Sequence, residues 1–323
     1  MVDISNGTDQ DLLPESRFQY RTVRVEHLQD MQNYIDELRK NGFFSENKVF
    51  RSYVDKLAFR LPENFPEAKY IIVIAVHSPL ARANLRYHGE THSVFIPPNY
   101  YEFDFTIKQL QSTIARRIVK REDCRIEDVR HNIYLKHLAV RSGLAKYGRN
   151  NICYVDGMGS MLSLFAFFTD HVFEEDHWTD IQMMDSCEKC RICMNECPTG
   201  AIPNERFVIN VEKCLSLYNE VAGEIPNWIP EWAHTSLMGC MHCQFACPAN
   251  REIIAAAVDF DEVTEDETVA LLNEHFNEDM TRVLSEKLKV VKPEQAETYL
   301  PVFARNLRAC FSSLFKKNME MSI

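Results

Sequence analysis

No run of apolar residues in this 323-residue chain is long enough to cross a bilayer. The longest, around Met158 to Thr169, is broken by Gly159, Ser160 and Ser163 and falls short of the ~20 consecutive apolar residues a membrane helix needs. Met1 to Phe18 contains neither a twin-arginine pair nor an apolar signal core, so a cytoplasmic protein with no membrane partner is expected. Positive charge is also scarce. Lys and Arg total 36 against 47 Asp and Glu, a net charge of −11, which argues against a broad nucleic-acid-binding face and leaves room only for a local basic patch. Internal repeats are absent apart from one paired cysteine motif.

Cysteine is what the chain has in excess. Eight of its eleven cysteines lie between Cys187 and Pro248. They run Cys187-x2-Cys190-x2-Cys193-x3-Cys197-Pro198, then a lone Cys214, then Cys240-x2-Cys243-x3-Cys247-Pro248. Soft thiolates select iron–sulfur clusters, and C-x2-C-x2-C-x3-C-P is a ferredoxin spacing whose fourth cysteine reaches the other cluster. Two cubanes need eight thiolates, and eight are present. The spacing gives Cys187, Cys190, Cys193 and Cys247 to one [4Fe–4S] cluster and Cys197, Cys214, Cys240 and Cys243 to the second. A zinc ribbon would use four and leave four unexplained, two of them before proline. A disulfide framework is not needed in a chain long enough to bury a core. Cys124, Cys153 and Cys310 read as plain buried thiols.

The rest of the chain reads as α+β or α/β. Residues 1–20 form a polar lead-in. Val25, Leu28, Met31, Ile35 and Leu38 recur at helical spacing up to Asn41-Gly42. The β-branched run Tyr70 to Val76 is a strand buried on both faces. Residues 77–103, rich in His, Tyr and Pro, read as a long loop, and Asp104 as the cap region of a helix reaching Ile118 to Lys120. A helix is expected from His131 to Ser142, with Gly143 as its C-cap. Ile152–Val155 and Met161–Phe168, joined by a glycine turn, are expected to form a hairpin. Strands alternating with helices before residue 180 indicate an α/β domain. Beyond the cysteines, residues 259–279 carry nine acidic side chains and no Lys or Arg, while 280–317 carry eight basic residues against three Glu. These blocks suit the solvated faces of a small helical region, or, in a sharper reading, a docking surface. The expected domains are thus 21–180, 181–250 and 251–323.

The cysteine order, with its lone Cys214 and with Gly239-Cys-Met-His-Cys-Gln-Phe-Ala-Cys-Pro248, resembles the double-cluster domain of epoxyqueuosine reductases and of the related corrinoid-dependent reductive dehalogenases. Gly143-Leu-Ala-Lys-Tyr-Gly148-Arg149-Asn150 is similar to their corrinoid-contacting turn, Gly159-Ser160 through Asp170 to the strand after it, and Ala304-Arg305-Asn306-Leu307 to a late helical motif. The resemblance implies an N-terminal nitroreductase-like α/β domain that binds corrinoid and substrate, a ferredoxin-like double-cluster domain, and a small C-terminal helical region. It implies two [4Fe–4S] clusters relaying electrons from a low-potential donor of ferredoxin or flavodoxin type to a base-off cobalamin, which is reduced to Co(I). The substrate would be a small molecule or a modified tRNA nucleoside. No Asp-x-His-x-x-Gly cobalt-ligand pattern occurs, which suits a corrinoid without a protein ligand and equally suits no corrinoid.

By the same resemblance, Gly143, Gly148, Arg149, Asn150, Gly159, Ser160, Met241 and His242 would contact cofactor. Tyr100, Tyr101, Asp104 and Asp128 would be catalytic candidates, since a reduction needs a proton donor near the leaving group. Arg149 stands where epoxyqueuosine reductases place lysine, and Met241-His242 where they often carry an acidic pair. Asp128 falls one residue out of register with their catalytic aspartate. Arg149 favours the dehalogenase side of the comparison. An electron-transfer protein serving a partner corrinoid or flavin protein, docked through the acidic tract, is the reading of a different class.

Overall fold

The computed structural model describes residues 12–121, 123–129, 132–205, 207–289 and 295–320. Residues 1–11 of the expected lead-in, and His131 at the expected helix start, lie outside the described residues. The chain divides into two compact units, one of residues 1–77 and 103–190, the other of residues 78–102 and 191–323.

The first unit is built on a four-stranded sheet in the order Phe18–Arg24, Tyr70–His77, Leu162–Thr169, Ile126–Asp128, with every neighbouring pair antiparallel. The β-branched run supplies a central strand, as its lack of polar alternation requires. Ile72 lies opposite Phe167, and Ile74 opposite Phe165, on one face. That face packs against Phe105, Leu110, Ile114 and Ile118. Each such side chain contributes about 1.5–3 kcal/mol on burial. The other face receives the Leu135–Arg141 helix, which lies against both central strands. The Leu28–Lys40 helix buries Leu28, Met31 and Ile35, the spacing read from the sequence, and ends at Asn41 and Gly42 (φ +69°), with Phe43 N donating to Leu38 O.

Two local expectations are corrected here. Asp104 caps nothing: the Ile107–Thr113 helix starts from a Thr106/Gln109 capping box, and Asp104 instead accepts two hydrogen bonds from Arg17 at 2.8 and 3.0 Å. The helix continues as a π-helical turn, Ile114–Val119, and stops at Lys120 in the left-handed region. Nor do the segments on either side of the Gly157–Gly159 turn form a hairpin. Leu162–Thr169 is buried on both faces and pairs with Tyr70–His77 on one side and Ile126–Asp128 on the other, whereas Cys153–Tyr154 pairs with Lys146–Tyr147. Only the bridge Val155↔Gly159 joins the two sides of that turn among the described residues.

In the second unit the stretch expected to be a loop contains a regular hairpin, Ala81–Tyr87 with Glu90–Ile96. Its two-residue turn, His88 (φ +53°) and Gly89 (φ +76°), has the paired positive φ of the turn that matches strand twist. Ala81, Ala83 and Leu85 alternate inward with His92, Val94 and Ile96. Small alanines and a histidine on the buried face hid that alternation from the sequence reading. Val258–Asp259 adds in parallel beside Ala81 and Arg82. The helices Glu265–Leu272, Glu278–Leu288 and Ala296–Glu320 supply Leu271, Leu284, Leu288, Leu300, Phe303 and Leu307 to the core over this sheet. Part of the acidic tract is paired within the unit: Asp259 with Arg82 (3.2 Å), Glu262 with Arg86 (2.9 Å), Glu267 with Lys287 (2.7 Å) and Glu274 with Arg308 (2.6 Å). Among the described residues, no helix is long and apolar enough to cross a membrane.

Candidate iron–sulfur site

None of the eleven cysteines is in a disulfide. The two runs are built on one plan. Cys193 sits in a single helical turn, Ile192–Asn195, and Cys243 in another, His242–Phe245. Each is followed by a cysteine that precedes proline, and Pro248 opens the Pro248–Asn250 turn, where a missing N–H costs nothing. After Cys197, Gly200 (φ +62°) folds the chain back, so that Gly200 N donates to Cys197 O at 3.2 Å and Ala201 N to Cys197 Sγ at 3.3 Å. N–H groups on ligand sulfur are one means of setting a cluster's potential.

Three of the four cysteines assigned to the second cluster influence one another electrostatically. Burial pushes the Cys240 thiol up to about 12, and Cys214 and Cys197 add to the rise. Cys214 is raised too, by burial first and then by Cys197 and Glu220, against hydrogen bonds to Ser216. Crowded thiols that resist ionisation without metal are what iron displaces protons from on loading. A free-thiol set of this softness fits iron–sulfur clusters. Among the described residues no three His, Cys, Asp or Glu side chains are gathered as for a single ion. A cubane occupies the space between its ligands and so holds them further apart.

The glycine turn lies in the first unit and is used by the protein itself. Gly143 (φ +70°) ends the Leu135–Arg141 helix in a conformation that L side chains rarely adopt, as its C-cap role requires. A Cβ at Gly148 would stand 2.5 Å from the Tyr154 ring and 2.6 Å from Asn150 Oδ1. Asn150 is buried and donates from Nδ2 to Tyr154 Oη at 3.0 Å. Lys136 Nζ holds the carbonyl of Asn151 at 3.1 Å, which steadies that residue at φ +60°. Arg149 donates from Nη2 to Cys187 O (2.8 Å) and from Nε to Cys190 O (3.0 Å). The turn's side chains are thus engaged within the chain. Gly159 (φ +54°) bridges Val155, and Ser160 beside it is buried.

In the second unit Tyr100 donates its hydroxyl to Glu220, and its ring lies 3.3 Å from where a Cβ on Gly239 would stand, one residue before Cys240. Glu220 is half-buried as a residue but its carboxyl is enclosed, and burial holds it up at about 7 while the Tyr100 hydrogen bond pulls the other way. Tyr101 is a core residue, edge-on to Phe260 and donating to Pro79 O. Met241 is fully buried. His242 Nε2 donates to Ala233 O at 3.1 Å, its ring edge-on to Trp232, and burial lowers its pKa. Asp128 occupies the Ile126–Asp128 strand opposite Phe167.

Two sets of residues escaped the sequence reading in this role. Glu220, six positions after Cys214, carried no signal that it would be enclosed. Arg305 and Asn306 stood out as part of a late motif without a task, and the structure supplies one. Arg305 donates to the carbonyls of Tyr218 (2.9 Å), Val221 (2.9 Å) and Gly223, and Asn306 Nδ2 to those of Asn219 (2.9 Å) and Leu237 (2.6 Å). They clamp the segment after Cys214 to the one before Cys240.

Comparison with known proteins agrees with this reading of the cysteines. Residues 186–250 match a family described as a 4Fe-4S double cluster binding domain. An epoxyqueuosine reductase of Staphylococcus aureus is 28% identical over 233 residues, 69% of this chain and 58% of the relative. That of Escherichia coli is 32% identical over 115 residues, 35% of this chain and 29% of the relative. The chain therefore spans well under two thirds of the length of the curated relatives it matches. The structure of epoxyqueuosine reductase from Streptococcus thermophilus superimposes with a TM-score of 0.59 at 19% identity, over 92% of this chain and 77% of that one. A crystal structure of epoxyqueuosine reductase with an epoxyqueuosine-modified tRNA stem loop gives 0.61 at 18% identity, over 91% and 77%. The chain resembles epoxyqueuosine reductases in sequence, shares their fold, and carries a 4Fe-4S double cluster binding domain.

Proposed function

We propose that this chain is an iron–sulfur reductase whose two [4Fe–4S] clusters relay electrons from a low-potential donor of ferredoxin or flavodoxin type to a corrinoid, with a modified tRNA nucleoside of the epoxyqueuosine kind as substrate. The observation that carries the reading is the set of eight cysteines, none in a disulfide, in a matched double-cluster domain, within a chain 28% identical over 233 residues to an epoxyqueuosine reductase. The tRNA stem loop bound to a relative of the same fold supports the substrate class. When bound, the corrinoid would supply a redox-active cobalt, chemistry that no side chain offers.

The chain's own residues divide the remaining work. Cys187, Cys190, Cys193 and Cys247 hold one cluster, and Cys197, Cys214, Cys240 and Cys243 the other. Arg305 and Asn306 keep the second set's loops in place. Tyr100 and Glu220 form a hydrogen-bonded pair near Cys214 and Gly239 that can hold a proton. Arg149, the residue that favoured small halogenated substrates, is committed to backbone carbonyls and no longer speaks for that class.

The test is anaerobic reconstitution with iron, sulfide and cobalamin, followed by a chemical low-potential reductant and an epoxyqueuosine-containing stem loop, beside a halogenated phenol. Queuosine formation with retained corrinoid is expected. Full iron loading with no retained corrinoid and no conversion of the stem loop would show the proposal to be wrong.

A further inference from the structure

We propose that Arg149 is the positioning residue for the first C-x2-C ligand loop and sets the charge environment of the cluster that loop holds. The inference rests on the two-cluster reading. It gives the residue a task different from cofactor or substrate contact.

Three carbonyls of one four-residue loop converge on a single guanidinium. Nη2 meets Cys187 O at 2.8 Å and Glu188 O at 3.4 Å, and Nε meets Cys190 O at 3.0 Å. Both cysteines of the pair are therefore held through their own peptide groups. The loop ends in two ligands, and the guanidinium ties both of its ends to one group.

The cation is itself fixed. Gly148 packs flush against Tyr154 and Asn150, so the backbone before Arg149 has no room to shift. Tyr147 is buried, and its backbone pairs with the strand-like segment leading into the cysteines: Tyr147 N donates to Gln182 O and Met184 N to Tyr147 O, both at 2.9 Å. The glycine turn and the cysteine loop are thus two sides of one backbone pairing, closed at its end by Arg149.

Arginine rather than lysine fits the geometry. A planar fork donates from Nε and Nη2 in fixed directions at once, whereas an ammonium is a point charge on a flexible stem. A cluster becomes more negative on reduction, and net charge and nearby hydrogen bonds are among the terms that set its potential. A permanent positive charge at this loop favours the reduced state and raises the potential of that cluster relative to a neutral side chain.

The test compares wild type, Arg149→Lys and Arg149→Gln after anaerobic reconstitution, with Cys187→Ser used to identify the signal of the cluster concerned. Iron and sulfide content, the rate of iron release to a chelator, and midpoint potentials from an EPR-monitored titration are measured. In Arg149→Gln, half of the iron should leave at least tenfold faster, and the corresponding midpoint should move to lower potential while the other stays put. Arg149→Lys should release that half faster than wild type but keep most of the potential. If Arg149→Gln does not fold, release from Arg149→Lys decides alone. Unchanged release and unchanged midpoints would overturn the inference. Wild type that binds no cluster would instead overturn the reading it rests on.

Discussion

Replacing Gly148 with alanine tests the packing around the glycine turn without touching a thiol. Gly148 does not carry a positive φ, so the added methyl meets no backbone penalty; the conflict is steric. The new Cβ would lie 2.5 and 3.2 Å from two carbons of the Tyr154 ring and 2.6 Å from Asn150 Oδ1. Both neighbours are buried, at 5% and 4% exposure, and are bonded to each other, so neither can move alone. Overpacking of this kind costs about 1–3 kcal/mol. Breaking the Asn150–Tyr154 hydrogen bond adds about 1 kcal/mol. A loss of about 2–4 kcal/mol lowers the thermal midpoint by roughly 3–6 °C in a chain of this size. Anaerobic thermal unfolding of the loaded protein reads it, with Tyr154→Leu introduced beside Gly148→Ala as a rescue, since two of the three close contacts are to that ring. A Gly148→Ala midpoint within a degree of wild type, or no recovery in the double variant, would refute the reasoning.

The other expectations concern the cluster unit and the candidate catalytic residues. Arg305→Ala removes a charged donor from three backbone carbonyls; a loss of about 2–4 kcal/mol is expected, seen as a lower unfolding midpoint together with faster iron release from the cluster held by Cys214. Glu220 has a carboxyl raised from 4.5 to about 7, so between those values the folded chain keeps a proton that the unfolded chain gives up. Stability then falls as pH rises from 4.5 through 7, by roughly 3 kcal/mol in total, and Glu220→Gln should abolish the slope; equal pH dependence of the two midpoints would contradict this. Asp104→Asn breaks the exposed ion pair with Arg17, so stability should change by less than about 1 kcal/mol and turnover should persist. Serine at Cys124, Cys153 and Cys310 together should leave the iron content unchanged.

Ligand spacing was legible because metal coordination is short-range chemistry. Cysteines two and three residues apart in one loop can reach one cluster whatever the rest of the chain does. The strand at Tyr70–His77 was legible for a similar reason, since a continuous β-branched run has one low-energy environment. The hairpin at 81–96 was not, because alanines on its inner face made the alternation faint and its aromatic, histidine-rich tip imitated a functional loop. Asp104 looked like a helix cap, but Thr106 and Gln109 formed a better one two residues on. Arg149 could be seen as important and its target could not, because a long side chain delivers its charge to a loop 38 to 41 positions away. Glu220 and Arg305 were hidden by the same distance. The acidic tract admitted two readings, and its ion pairs with Arg82, Arg86, Lys287 and Arg308 favour the plainer one.

The central claim is that eight cysteines hold two cubanes, and Mössbauer spectroscopy with metal and sulfide analysis of the anaerobically purified chain tests it most directly. About eight irons and eight sulfides per chain are expected, all in [4Fe–4S] form, falling to about four in Cys240→Ser. One zinc bound by four thiolates, or four irons in wild type with no further loss in that variant, would contradict it.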